Sequence, residues 1–192
     1  DADTTYTENN LVSFFARGNY TFRDRYILGA SLRHDGSSRF GENNRFGTFP
    51  AVSAAWVASQ EDFLSGADWM DELKLRASWG MTGNQAISDY PFQGLVGSAN
   101  YGDLPGLVPS TLSNPDLKWE STAQTNVGID LLAFTGRLGV RGDWYIKKTD
   151  DLLLSRPITS TSGFGSVFAN VGNIENRGWE LELSTVNIRP DD

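Results

Sequence analysis

Apolar and polar residues alternate along this chain in stretch after stretch. The clearest run is Leu73–Thr82, LKLRASWGMT, with Leu73, Leu75, Ala77, Trp79 and Met81 on one face and Lys74, Arg76, Ser78, Gly80 and Thr82 on the other. A period of two belongs to a β-strand, because successive side chains of a strand point to opposite faces. Six further stretches repeat it. Leu11–Phe22 sets Val12, Phe14, Ala16, Tyr20 and Phe22 against Ser13, Arg17, Asn19 and Thr21. Tyr26–Asp35 sets Tyr26, Leu28, Ala30 and Leu32 against Ser31, Arg33 and Asp35. Thr48–Ala58 is marked by Val52, Ala54 and Trp56. Leu117–Ala133 puts Leu117, Trp119, Ala123, Val127, Ile129 and Leu131 on its apolar face. Leu138–Leu154 does so with Val140, Trp144 and Ile146, and Arg177–Ile188 with Trp179, Leu181 and Leu183.

The pattern predicts an all-β fold, an antiparallel meander of seven long strands. These strands run 10 to 17 residues, against a usual mode of about 5–6. Their polar faces carry enough charge to demand water. That combination describes the wall of a membrane β-barrel, apolar toward lipid and polar toward the interior. A soluble β-sandwich would place turn signals about every 8–12 residues, and here they lie further apart.

The links carry a second regularity. Arg23–Arg25 and the turn at Thr135-Gly136-Arg137 are tight, whereas Gly36–Gly47, Gly83–Asp116 and Ser155–Asn176 are long. Ser59–Glu72 is intermediate, with room for a short helical turn. In a meander, odd and even links lie at opposite ends. Short turns at one end and long loops at the other is the asymmetry of outer-membrane barrels. A bacterial barrel closes with an even number of strands, and Arg189–Asp192 is turn-like, so the expectation is a segment of a larger barrel.

Composition narrows the classes. The net charge of −8 disfavours nucleic acid as a partner. There is no cysteine, hence no disulfide framework and no thiolate metal site. No apolar run reaches the roughly 18 residues of a spanning helix, which leaves barrels open. The opening DADTTYTENN has neither the basic start nor the apolar stretch of a signal peptide.

Arg23–Trp56, with RDRYILGASLRHDGSSRFGENNRFGTFPAVSAAW, LKLRASWGMTGNQ at Leu73–Gln85, NPDLKWESTAQTNVGID at Asn114–Asp130 and NVGNIENRGWELEL at Asn170–Leu183 together resemble the barrel region of SusC/RagA-type TonB-dependent outer-membrane transporters. The resemblance implies a 22-stranded barrel with an N-terminal plug, of which residues 1–192 would be a later, partial barrel domain without the plug. It also implies import of oligosaccharides or peptides, a SusD-like surface lipoprotein over the outer loops, TonB engaging the plug, and outer-membrane lipid around the wall. No cofactor, metal or catalytic residue is expected.

The residues agree with that restraint. His34 is the only histidine, so neither a zinc site nor a triad can be built around a second one. Glu180 and Glu182 lie two apart on one strand face and read as wall residues facing water, not as a hydrolase carboxylate pair. GFGSVF at Gly163–Phe168 lacks a phosphate-loop pattern. Tyr20, Tyr26, Trp119, Trp144 and Trp179 are the expected membrane-interface aromatics. Phe40, Phe46, Tyr90, Phe92, Tyr101 and Phe164 fall in expected outer loops, where they either stack on ligand or pack the loops together. The alternative reading is a soluble carbohydrate-binding β-sandwich of a secreted protein; an enzyme ranks below both.

Overall fold

The computed structural model describes residues 7–188, so the turn-like Arg189–Asp192 lies outside the described residues. The main sheet holds seven antiparallel strands that follow the chain as a meander. They are β1 (Leu11–Phe22), β2 (Tyr26–Ser37), β3 (Phe46–Val57), β4 (Met70–Asn84), β7 (Glu120–Ala133), β8 (Leu138–Asp150) and β11 (Asn173–Thr185). Two small hairpins lie outside it: β5 (Val96–Tyr101) with β6 (Leu104–Pro109), and β9 (Leu153–Pro157) with β10 (Ser166–Asn170). Among the described residues no helix is long and apolar enough to cross a membrane, which says nothing about strands.

Face alternation survives into the register. Ala77 pairs Val127, Val127 pairs Trp144, and Trp144 pairs Trp179, so these apolar residues share one side. Lys74 pairs Asp130, Asp130 pairs Arg141, and Arg141 pairs Glu182 on the other side. A one-residue slip would exchange the faces. The apolar side is not backed by another layer: Val127 is 49% exposed and Leu181 79%. A sandwich would have buried it.

The tight links close the predicted end. Arg23 and Asp24 both have positive φ, 52° and 55°, and Arg25 N–H donates to the Phe22 carbonyl at 3.1 Å. Positive φ at both central residues is the turn whose twist matches flanking strands. Phe134, Thr135 and Gly136 turn the chain likewise between β7 and β8. The third link, at the same end, holds two short 3₁₀ turns, Ala58–Gln60 and Asp62–Leu64.

The structure departs from the sequence reading at the other end. The fourth and sixth links are not plain loops; they carry the β5–β6 and β9–β10 hairpins. Leu138–Leu154 is not one strand, because Asp151 turns into the left-handed region at φ 59° and Leu153 starts β9. The seventh wall strand begins four residues earlier than expected, at Asn173, where it pairs Asp150. Leu117 and Trp119 precede β7 and leave the wall altogether.

They join the one hydrophobic core found among the described residues: Phe40, Phe49, Ile87, Leu117, Trp119 and Leu153, with Met81, Phe92 and Phe168 against it. The core sits where β3 and β4 part. These strands pair only from Ala51–Gly80 to Val57–Lys74. Beyond that point the Phe49 ring lies over Gly83 and Gly47, where a Cβ at either glycine would strike it. Trp119 packs on Phe49 edge-on at 5.5 Å and on Phe40 at 5.1 Å.

Candidate functional site

The apolar face runs unbroken along β1 from Val12 to Phe22, ten residue steps or roughly 33 Å of strand. A tilt of about 40° brings that to about 25 Å, the height of a barrel's lipid-facing band. On the same side the band ends toward the long links at His34, Lys148, Glu175 and Arg177, with Lys148 paired to Glu175 at 3.1 Å. Toward the tight links lie Tyr20, Tyr26, Phe63, Trp69 and Phe134, all more than 40% exposed. Trp144 and Trp179 stand side by side at 6.2 Å, with Trp179 82% exposed. Trp119, also expected at the interface, lies elsewhere. It is 8% exposed and its indole N–H donates to the Arg45 carbonyl at 3.0 Å, so it faces the loop core and not lipid.

At the tight-link end Glu61 gathers three donors. The Tyr26 hydroxyl donates at 2.6 Å, the Trp56 indole N–H at 3.0 Å and Arg25 Nη1 at 2.9 Å. The Tyr26 and Trp56 hydrogen bonds, with Arg25 beside them, hold the Glu61 carboxyl below the usual glutamate range.

The polar face divides into two zones. Nearer the tight links is a charged network. Arg76 Nε meets Asp130 at 2.7 Å, Arg76 Nη2 meets Asp143 at 3.0 Å, and Arg141 Nε meets Asp130 at 3.1 Å. Above it run two cross-strand rows without any acid. One reads Arg17, Ser31, Ala51, Gly80, Gln124, Lys147, Asn176; the next reads Asn19, Gly29, Ser53, Ser78, Asn126, Tyr145, Gly178. Small side chains over β2, β3 and β4 leave a shallow bay of about 370 Å³ there. These rows escaped sequence reading, since alternation assigns a face but not the residue opposite.

The long links meet above the sheet, and the expected ligand-facing aromatics divide. Phe40 is fully buried and Phe92 packs on the same core, so both hold the loops together. Phe46 is not in a loop; it opens β3 on the apolar side, 54% exposed and stacked on His34 at 5.0 Å. Tyr90 donates its hydroxyl to the Glu8 carbonyl at 2.9 Å. Phe164 is half-buried beside the β9–β10 hairpin, and Tyr101 ends β5. Polar ties complete the join. Arg39 Nε pairs with Asp89 at 2.9 Å, and Asn170 Nδ2 donates to the carbonyls of Lys118 at 2.8 Å and Asp151 at 2.9 Å.

Comparison with known proteins agrees with this geometry. The family model described as TonB dependent receptor-like, beta-barrel matches residues 1–187. A TonB-dependent receptor of Formosa agariphila is 45% identical over 97% of this chain and 18% of its own length. The TonB-dependent receptor SusC of Bacteroides thetaiotaomicron is 39% identical over 96% of the chain and 19% of its own. A solved structure of the RagAB peptide transporter superposes with a TM-score of 0.89 at 38% identity, over 95% of this chain and 20% of that one. The siderophore receptor PirA of Pseudomonas aeruginosa, 12% identical with a TM-score of 0.62 over 91% of this chain and 31% of its own, shares the fold. The chain thus spans about a fifth of the length of SusC and of the RagAB chain. With its strand meander, its two-faced wall and a family match over residues 1–187, the chain belongs to the TonB-dependent receptor β-barrel family of the outer membrane.

Proposed function

We propose that these seven strands form part of the wall of a 22-stranded outer-membrane transporter whose plug lies elsewhere in the protein. The transporter imports oligosaccharides or peptides, with energy delivered through TonB. A SusD-like lipoprotein covers the outer loops. The wall carries substrate without making or breaking bonds. The supporting observation is the sheet itself: an apolar face with no layer behind it, opposite a water-demanding face. A soluble carbohydrate-binding sandwich would have buried the first of these faces.

The test uses cells displaying the full-length receptor. Uptake of labelled oligosaccharide or peptide is followed with and without an uncoupler of the proton gradient. Energised import predicts that accumulation collapses while surface binding persists. Accumulation indifferent to the uncoupler would reject the TonB-driven reading.

A further inference from the structure

We propose that the third link is a membrane foot: clasped by Glu61 against the apolar side of the wall, it seats Phe63 in the interfacial layer of the phospholipid leaflet at the tight-link end. This rests on the reading of the sheet as an outer-membrane wall. The link runs from Ala58 to Trp69 between β3 and β4, whereas Arg23–Arg25 suffices between β1 and β2 at the same end. Neighbouring strands need only a few residues to join them, so the extra length has another use. Hydrogen bonds fix its direction. Tyr26 and Trp56 stand opposite each other in the ladder on the apolar side. Both donate to Glu61 Oε1, at 2.6 and 3.0 Å, and Arg25 Nη1 reaches Glu61 Oε2 at 2.9 Å. The Glu61 carboxylate therefore lies over the apolar side, and the link bends toward the outside of the wall. In the proposed barrel the plug occupies the lumen, and the remaining strands continue the ring beyond β1 and β11. Because β3 has β1 and β2 on one side and β4, β7, β8 and β11 on the other, neither comes over its outer surface.

The link is built as a fixed body. Glu61 N–H donates to the Ala58 carbonyl at 3.1 Å, Leu64 N–H to the Glu61 carbonyl at 3.0 Å, Ala67 N–H to the Leu64 carbonyl at 3.0 Å and Met70 N–H to the Ala67 carbonyl at 2.9 Å. Each turn hands the chain to the next. At a membrane surface the polar tips of tyrosine and tryptophan usually meet headgroups and water. Here Glu61 takes both tips, so its carboxylate stands where a headgroup would. A carboxylate beside lipid is costly unless donors satisfy it, and three donors with a side chain only 15% exposed do so. What the link then offers the leaflet is Phe63, a ring without a polar tip. It is 72% exposed and lies 6.5 Å from the Trp56 ring, so it continues the apolar band beyond the end of β3. That continuity selects lipid as the occupant. The exposed Asp62 and Asp68 repel anionic headgroups, so a zwitterionic lipid is the probe.

Full-length receptor is reconstituted in phosphatidylcholine vesicles with a nitroxide label on Phe63→Cys, Asp62→Cys or Leu75→Cys, any other reactive cysteine being replaced. Power saturation compares access of oxygen, which concentrates in lipid, with that of a nickel chelate, which stays in water. Oxygen access should exceed nickel access at positions 63 and 75, and the reverse should hold at 62. Glu61→Ala should raise nickel access at 63 to the level seen at 62, while the label at 75 keeps its oxygen preference and shows that the barrel is inserted. Tyr26→Phe, a milder change that removes one of the three donors, should shift position 63 the same way. A label at 63 that reads water while 75 reads lipid overturns the foot and leaves the wall reading standing. Low access of both reagents at 63 means that protein covers the link, and overturns the foot too. A label at 63 that neither variant shifts shows that Glu61 is not the clasp, which also overturns the proposal. A label at 75 without oxygen preference in the unaltered background sinks the wall reading and the foot with it.

Discussion

Arg76 and Asp143 form an ion pair across a strand that separates them. Arg76 lies on β4 and Asp143 on β8, and the residue between them on β7 is Gly128. Arg76 Nη2 reaches Asp143 at 3.0 Å while Nε holds Asp130 at 2.7 Å. A Cβ on Gly128 would stand 2.7 Å from Nη2 and closer still to the Asp143 carboxylate. The absent side chain is what lets one guanidinium fasten three strands.

Gly128→Ala should therefore open the Arg76–Asp143 pair. The network is partly exposed, with Arg76 at 33%, so solvent screens it and the expected loss is about 1–2 kcal/mol. Urea unfolding of the lipid-refolded full-length barrel measures it. Asp143→Asn should destabilise wild type more than it destabilises the alanine variant, because the pair is already open there. Additive losses would show that Gly128 is not the passage.

Much of the wall was readable before any coordinates. Leu75, Trp79, Val127, Ile129, Val140, Trp144 and Leu181 share one side as alternation requires, because strand facing is a local property. Trp119 shows where that signal stops. Its spacing continues the alternation of β7, but Phe49, two strands away, and the Arg45 carbonyl settle its position. Asp151 ends β8 through a left-handed φ that apolar spacing does not encode. The passage over Gly128 and the acid-free rows depend on register between strands, which no single strand contains.

Facing itself has an energetic test. Leu75→Arg places a charge on the apolar side, which the proposed wall turns to lipid, and should then cost about 2–4 kcal/mol near the bilayer centre. Ser78→Arg points into the interior and should cost much less. Refolding titrations of the full-length barrel in lipid vesicles compare the two, and equal costs would contradict the assigned faces.

The loop core should fail separately from the wall. Phe40 is fully buried against Trp119 and Leu117, and removing such a ring costs about 3–5 kcal/mol. The strands keep their own ladders, so Phe40→Ala should loosen the long links and leave the barrel inserted. Limited proteolysis on intact cells should cut within residues 83–119 and 151–172 faster than in wild type, at equal resistance of the barrel to detergent unfolding. Protected loops would show that the core does not hold them.

Glu61 should give the tight-link end a dependence on acid. Its carboxyl titrates below the usual glutamate range because Tyr26, Trp56 and Arg25 favour the charged form. A group depressed on folding stabilises above its unfolded pKa and ceases to do so as pH falls through the folded one. The third link should thus stay tethered at neutral pH and release only below the ordinary glutamate range. Trp56 fluorescence followed against pH reports this, and Glu61→Gln should flatten the acid step. An unchanged profile in that variant would assign the step to another group.

The β5–β6 hairpin can be removed without touching the wall or the core. Its Val96, Leu104 and Leu107 are 63–73% exposed, and Asp103 is the one charged residue between Tyr90 and Pro115. An apolar, nearly uncharged projection on the long-link side is poorly suited to water and well suited to a protein partner. Deleting the whole stretch from Ala86 to Ser113 would also take Ile87 and Phe92 out of the core. Joining Leu95 to Ser110 through two glycines removes only the projection, because the Leu95 carbonyl already accepts from Ser110 N–H at 2.7 Å. In the full-length receptor this shorter deletion should reduce together the recovery of the proposed SusD-like lipoprotein and the proposed uptake, at equal surface abundance. The larger deletion should add loop proteolysis to those losses, because it alone weakens the core. Normal lipoprotein recovery after the shorter deletion would show that docking lies on other loops.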